Sequence, residues 1–93
     1  MRLEYDLAKS EKNIRVRGLS FSRTVDFEFE TADFISDDRK DYGEPRWIAV
    51  GYLGTRLHAL CFTPKEGGIR VISFRKVNRR EAQRYGKALT TAH

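Results

Sequence analysis

Between Lys65 and Lys87 the sequence KEGGIRVISFRKVNRREAQRYGK carries eight cations (Lys65, Arg70, Arg75, Lys76, Arg79, Arg80, Arg84, Lys87) against two acids, Glu66 and Glu81. The tract is worth +6, the whole chain +5, so the remaining residues sum to about −1 and the positive charge is local. Such an excess beside apolar residues is the footprint of a polyanion partner, most often nucleic acid. Arginines suit phosphate because the planar guanidinium fork matches two oxygens at once. RNA breaks when its own 2′-OH attacks the adjacent phosphate. That reaction needs a base, an acid for the leaving 5′-oxygen, and positive charge on the crowded phosphate. Fixed cations aimed at developing charge are usually the largest catalytic term.

Arg70 and Arg75 fall on a strand pattern, a rigid mount, and Arg46 opens a neighbouring one. Arg70 and Arg46, with Lys65, are the cations placed to meet a phosphate. His58 is the candidate acid or base in the neutral range; Glu44 and Tyr85 are further candidates. Lys9, Lys76, Arg79, Arg80 and Arg84 are candidate RNA contacts. Each has a plainer alternative. Arg79, Arg80 and Arg84 suit the solvated face of a helix, and Arg75 and Lys76 suit edge-strand charges that discourage aggregation. Trp47, Tyr52 and Tyr85 suit packing more than base stacking.

The elements that must hold these residues follow from the apolar pattern. Leu3 and Tyr5 alternate with Arg2 and Glu4 as a short opening strand. Asp6 caps a helix over about 7 to 16 that Gly18 stops. Ser20 caps a second helix with Phe21, Val25 and Phe29 on one face. Residues 36 to 44 make a polar loop at the end of an acidic stretch that begins at Asp26. Three strands follow: Trp47 to Tyr52, Leu57 to Thr63 and Ile69 to Val77, with turns at Gly54-Thr55 and Gly67-Gly68. Alternation in the third puts Ile69, Val71 and Ser73 on one face and Arg70, Ile72 and Phe74 on the other. Asn78 with Glu81 starts a last helix whose stripe is Ala82, Tyr85 and Leu89. The tail 90–93 is expected to fray. The fold class is α+β: β-α-α, an antiparallel meander of three or four strands, and a C-terminal helix, with helices mainly on one face of the sheet.

The chain of 93 residues is one domain. Its 12% aromatic content provides core and argues against disorder despite 33% charged residues. Cys61 is alone, so no intramolecular disulfide forms, and it reads as a small buried hydrophobe. With no CxxC and no Cys/His cluster, neither a metal nor another cofactor is expected. No apolar stretch approaches the roughly 20 residues that span a bilayer, and no signal segment is visible, so a soluble cytoplasmic protein is expected.

Four ordered segments carry a family resemblance: LEYDLAKSEKN near the start, RGLSF before the second helix, RWIAVG in the first of the three strands, and IRVISFRKVNRRE with Tyr85 at the end. Together they resemble the BrnT toxins of bacterial type II toxin–antitoxin modules, over about Leu3 to Tyr85. The resemblance implies a RelE-like fold and a small metal-independent ribonuclease that inhibits translation and growth. It matches Lys9, Arg46, Arg70 and Arg75 to recurrent polar positions of the family, and on that reading Arg70 and Arg46 are expected to cradle the scissile phosphate, with Lys65 assisting. Val16 and Arg17 stand where the family usually has a Lys-His or Arg-His pair, and Phe74 where it usually has Ala. The partners implied are RNA as substrate and a DNA-binding, BrnA-like antitoxin in a hetero-oligomer. The competing reading is a non-catalytic module that binds nucleic acid or only the antitoxin.

Overall fold

The computed structural model describes residues 1–91. In chain order they form β1 (Arg2–Glu4), α1 (Leu7–Arg17), a 3₁₀ turn (Phe21–Asp26), β2 (Asp33–Ser36), β3 (Trp47–Leu53), β4 (Arg56–Lys65), β5 (Gly68–Lys76) and α2 (Arg79–Arg84). The strands make one mixed five-stranded sheet in the order β1-β5-β4-β3-β2. From β2 to β5 each strand pairs antiparallel with the next. The opening strand departs from the expected antiparallel sheet: β1 runs parallel to β5, with Leu3 opposite Ile69 and Glu4 opposite Arg70. Parallel pairing needs a long connection, and the intervening strands provide it.

Local signals act as their chemistry dictates at the helix ends. The Asp6 carboxylate accepts from the Lys9 N–H at 3.2 Å, and Gly18 closes α1 at φ 69°, a left-handed conformation that favours glycine. Asn78 and Glu81 form a complete capping box, each side chain accepting from the other residue's backbone N–H.

The second helix does not form. A 3₁₀ turn takes its place, and the buried residues are Phe21, Thr24 and Phe27, spaced by three as that geometry requires, while Val25 is 63% exposed. Tertiary bonds end the turn: Phe27 bridges Leu53, and the Glu28 N–H donates to the Tyr52 carbonyl at 2.9 Å. An edge strand absent from the expected elements, Asp33–Ser36, pairs with β3 and takes in Ser36, the first residue of the expected loop. The last helix stops at Arg84. Leu89 lies beyond it and joins the core through its carbonyl, which accepts from the Leu57 N–H at 2.9 Å. The expected frayed tail is tied as far as Thr91: Thr90 bridges Arg56, and the Thr91 N–H donates to the Thr55 carbonyl at 2.8 Å. Ala92 and His93 lie outside the described residues.

Two apolar layers sandwich the sheet. One contains Leu19, Phe21, Phe27, Leu60, Phe62, Ile69, Val71 and Phe74, with the 3₁₀ turn over it. The other, smaller layer is Val50, Leu57, Ala59, Val77 and Ala82, where α2 packs. Since α2 is only six residues long, it covers one end of its face and leaves the other end to the connection between β2 and β3, whose Tyr42 and Glu44 reach Arg46 and Arg70.

The facing of β5 differs from simple alternation. Phe62 pairs with Val71 but Cys61 pairs with Ser73, so Ile72 is an unpaired bulge residue. Directly opposed residues point to one side of a sheet. Before the bulge Arg70 shares the side of Thr63; after it Ser73 and Arg75 share the side of Cys61 and Ala59. Ser73 and Phe74 have therefore exchanged the faces expected of them, and Phe74 is fully buried in the larger layer. Arg70 and Arg75, which strict alternation would separate, stand on one face.

Close backbone approach fixes the β1–β5 contact. A Cβ on Gly68 would sit 1.7 Å from the Arg2 carbonyl oxygen, a collision that only backbone movement relieves. Gly68→Ala is expected to destabilise the fold by about 2 kcal/mol or more, read by urea denaturation; an unchanged midpoint would show that β1 contributes nothing to stability.

Candidate active site on the open face of the sheet

The end of that face beyond α2 carries a transverse row. Arg46 lies one rung beyond the Trp47–Phe62 pair, across from Thr63 on β4, and Thr63 pairs with Arg70 on β5. At the sheet margin the first turn of α1 adds Lys9. The result is a cavity of about 270 Å³ lined by Asp6, Lys9, Arg46, Arg70, Val71 and Ile72. The structure thus brings together three of the cations singled out in the sequence, from a helix, a strand entry and a strand interior.

Each cation is held differently. The Arg46 guanidinium lies on the Tyr42 ring, 3.8 Å from its centroid, a cation–π contact that fixes the plane of the fork. Its Nε is buried and has no hydrogen-bond partner among the described residues. Arg70 donates to Glu44 through Nη2. The Lys65 ammonium stands 3.8 Å from the other oxygen of the same carboxylate. Lys65 therefore joins the row through Glu44. A phosphate entering this cavity would meet Lys9 and Arg46 directly and would compete with Glu44 for Arg70.

Arg75 sits further along the same face, beside a smaller cavity of about 80 Å³ lined by Arg39, Ile48, Ala59, Cys61, Ser73 and Arg75. Its fork is occupied: Nη1 and Nη2 donate to the two Glu81 oxygens at 2.9 and 2.8 Å. This pairing pushes the Arg75 guanidinium pKa up and holds the Glu81 carboxyl below its ordinary range. Opposite, Asp37 has a fully buried side chain and accepts from Arg39 Nε and Nη2 at 2.7 and 2.8 Å. That bidentate pair holds the Asp37 carboxyl down at about 2. Cys61 is buried beside it, with its thiol 3.8 Å from Asp37, and burial pushes the thiol pKa up, so it is a poor nucleophile here.

The remaining candidates lie elsewhere. His58 is 3% exposed and belongs to the opposite face, its ring against Phe74 and its Nδ1 2.8 Å from the Arg56 carbonyl oxygen. Burial lowers its pKa and favours the neutral ring. Lys76 pairs across from His58 and so points away from Arg70. Arg79, Arg80 and Arg84 are exposed on α2, flanking the Arg75–Glu81 end of the face. Tyr85 is half-buried against the smaller apolar layer.

The sequence reading gave no role to Tyr42, Thr63 or the Asp37–Arg39 pair. The short Tyr-to-Arg spacing around Gly43 was the one local signal for the first. Thr63 and Asp37 acquire their places only through strand register.

Residues 5–81 match the family model described as the ribonuclease toxin, BrnT, of a type II toxin–antitoxin system. The chain belongs to the BrnT family. A 1.1 Å crystal structure of the Brucella abortus ribonuclease toxin, BrnT, matches with a TM-score of 0.67 and 24% identity, covering 85% of this chain and 99% of that one. At that identity the likeness concerns the fold, an α+β arrangement shared along the full length of the Brucella protein. No curated protein matches the chain. Family membership makes this chain a ribonuclease toxin of the type II class, with RNA as substrate and an antitoxin as partner. Among the described residues no helix is long and apolar enough to cross a membrane.

His58 has a consequence for pH. Its folded-state pKa lies below the ordinary 6.5, so the unfolded chain takes up the proton first as pH falls. The contribution is whole above about pH 6.5 and erodes below it. Thermal melting should fall from pH 7 to pH 5, and His58→Gln should flatten that fall; equal slopes in the two proteins would place the titrating group elsewhere.

Proposed function

We propose that this BrnT-family chain is an endoribonuclease that cleaves by 2′-OH attack, with side-chain cations rather than a metal ion carrying the charge. The observation that carries the reading is the convergence of Lys9, Arg46 and Arg70 on one cavity. In the reaction the 2′-oxygen bonds to phosphorus and the P–O5′ bond breaks. The 2′-OH loses its proton to a base, the 5′-oxygen gains one, and a 2′,3′-cyclic phosphate and a 5′-OH result. Arg46 and Arg70 take the non-bridging oxygens. Both stand on or next to strands, so little reorganisation is needed as charge accumulates. Two carboxylates are in reach of the row: Asp6, which lines the cavity but is engaged as the cap of α1, and Glu44, between Arg70 and Lys65. When phosphate claims Arg70, the Glu44 carboxylate is released to act as base. Lys65, beside Glu44, and Lys9, on the cavity wall, are the candidate donors to the 5′-oxygen.

Arg75 has a different part in this reading. Its fork is saturated by Glu81, so it anchors α2 and adds positive potential along the face rather than binding the scissile phosphate. Arg79, Arg80 and Arg84 extend that potential and guide the RNA strand by phosphate contacts that weaken with salt. His58 carries no catalytic role. The partner is a DNA-binding, BrnA-like antitoxin that covers the basic face in a hetero-oligomer. The cytoplasm is the compartment where such a pair meets RNA. The consecutive antiparallel pairing from β2 to β5 supports the RelE-like assignment.

One observation favours a second reading, a module that binds without cutting: carboxylates already occupy both Arg70 and Arg75. Products separate the two. Purified protein with RNA and EDTA should yield fragments ending in 2′,3′-cyclic phosphate. Arg46→Ala and Arg70→Ala should each lower kcat/KM by about 10²- to 10³-fold, and Arg75→Ala should act mainly through stability. Cleavage that EDTA abolishes, or an Arg70→Ala variant as active as wild type, would overturn the mechanism; binding with intact RNA would establish the second reading.

A further inference from the structure

Thr63 occupies the centre of the row and has no visible task. It is 2% exposed, and its Oγ1 is buried with no hydrogen-bond partner among the described residues. Buried hydroxyls almost always find a partner, and one that does not is a standing cost to stability. A valine would fill the same volume without it. The neighbouring residue has the complementary defect: Arg46 Nε, a donor, is also buried and unpartnered. Thr63 pairs with Arg70 and, by the register one rung beyond Trp47–Phe62, lies across from Arg46, so its side chain shares their face of the sheet from the strand between them.

We propose that Thr63 is a positioning residue for cleavage, its hydroxyl accepting from Arg46 Nε–H when the scissile phosphate draws that guanidinium inward. One bond satisfies both orphaned groups. It fixes the third nitrogen of the Arg46 fork and leaves Nη1 and Nη2 free to face phosphate oxygens. Tyr42 already holds the plane of the guanidinium, 3.8 Å from the ring centroid; Thr63 sets its rotation within that plane. The hydroxyl hydrogen remains available to Glu44 or to a substrate oxygen. The effect belongs to the transition state, where a fork misplaced by about 1 Å costs heavily in rate, and not to the initial capture of RNA, which the wider basic face performs.

This inference rests on the phosphate-cradle reading above, and the experiment separates the two. Thr63→Val, Thr63→Ser, Arg46→Ala and Arg70→Ala are compared with wild type in steady-state cleavage of an RNA oligonucleotide and in thermal melting. Thr63→Val should melt at or above the wild-type temperature, because it deletes an unsatisfied buried group. Its kcat should fall by about tenfold or more with KM nearly unchanged, and Thr63→Ser should recover most of the loss. Wild-type turnover in Thr63→Val alongside impaired Arg46→Ala and Arg70→Ala would overturn the inference alone. Wild-type turnover in all of them would overturn the cradle itself. A clear drop in the melting temperature of Thr63→Val would mark the hydroxyl as structural and also overturn the inference.

Discussion

Between Cys61 and Phe62 the β4–β5 ladder slips by one residue, and the arrangement of charge on the open face follows from that slip. A strand repeats every two residues. Arg70 and Arg75, five apart, would otherwise point to opposite sides. The unpaired Ile72 resets the phase, sends Phe74 into the core and turns Ser73 and Arg75 to the side of Arg70. Burial of Phe74 drives the choice: a fully buried aromatic ring contributes about 1.5–3 kcal/mol relative to exposure. Apolar packing on one face therefore determines the geometry of cations on the other. Asn13 supports the same place, its side-chain amide donating to the Phe74 carbonyl at 2.9 Å where the shortness of β1 leaves that edge unpaired.

The open face is as much a matter of carboxylates as of arginines. Glu44 holds Arg70 and Lys65, Glu81 holds Arg75, and Asp37 accepts from Arg39. Like charges crowded on a half-buried surface repel, and each acid reduces that repulsion while fixing a guanidinium plane. The pairs are not equivalent. Glu81 is also half of the α2 capping box, so releasing Arg75 would loosen a helix end. Glu44 belongs to no helix or strand and can move without unfolding one. The exchangeable carboxylate faces Arg70 and the structural one faces Arg75, which is the physical reason for giving the two arginines different parts.

Signals that act over three or four residues were legible in the sequence. Asp6 with α1, Gly18 at its end, the Gly54-Thr55 turn, the three long strands and the Asn78–Glu81 cap all depend on nearest neighbours. The failures were tertiary. Phe21, Val25 and Phe29 have helical spacing, but Phe27 is captured by Leu53 and the segment tightens to three residues per turn. Asp33–Ser36 is too short and too polar to announce a strand, and it exists because β3 offers an edge. His58 looked like a titrating group from its type alone, yet alternation along β4 buries it under Phe74.

The sequence by itself determined the chemistry on hand: a localised cluster of arginines and lysines, the strands that carry them, and the ordered segments that mark the BrnT family. Residue types and short-range spacing are written in the chain and need no partner to be read. Which cations meet, which acids hold them, and where Thr63 and Tyr42 stand were decided only in the tertiary structure. Those placements depend on the register between strands distant in sequence, and register is set by the packing of the whole apolar core rather than by any local run of residues.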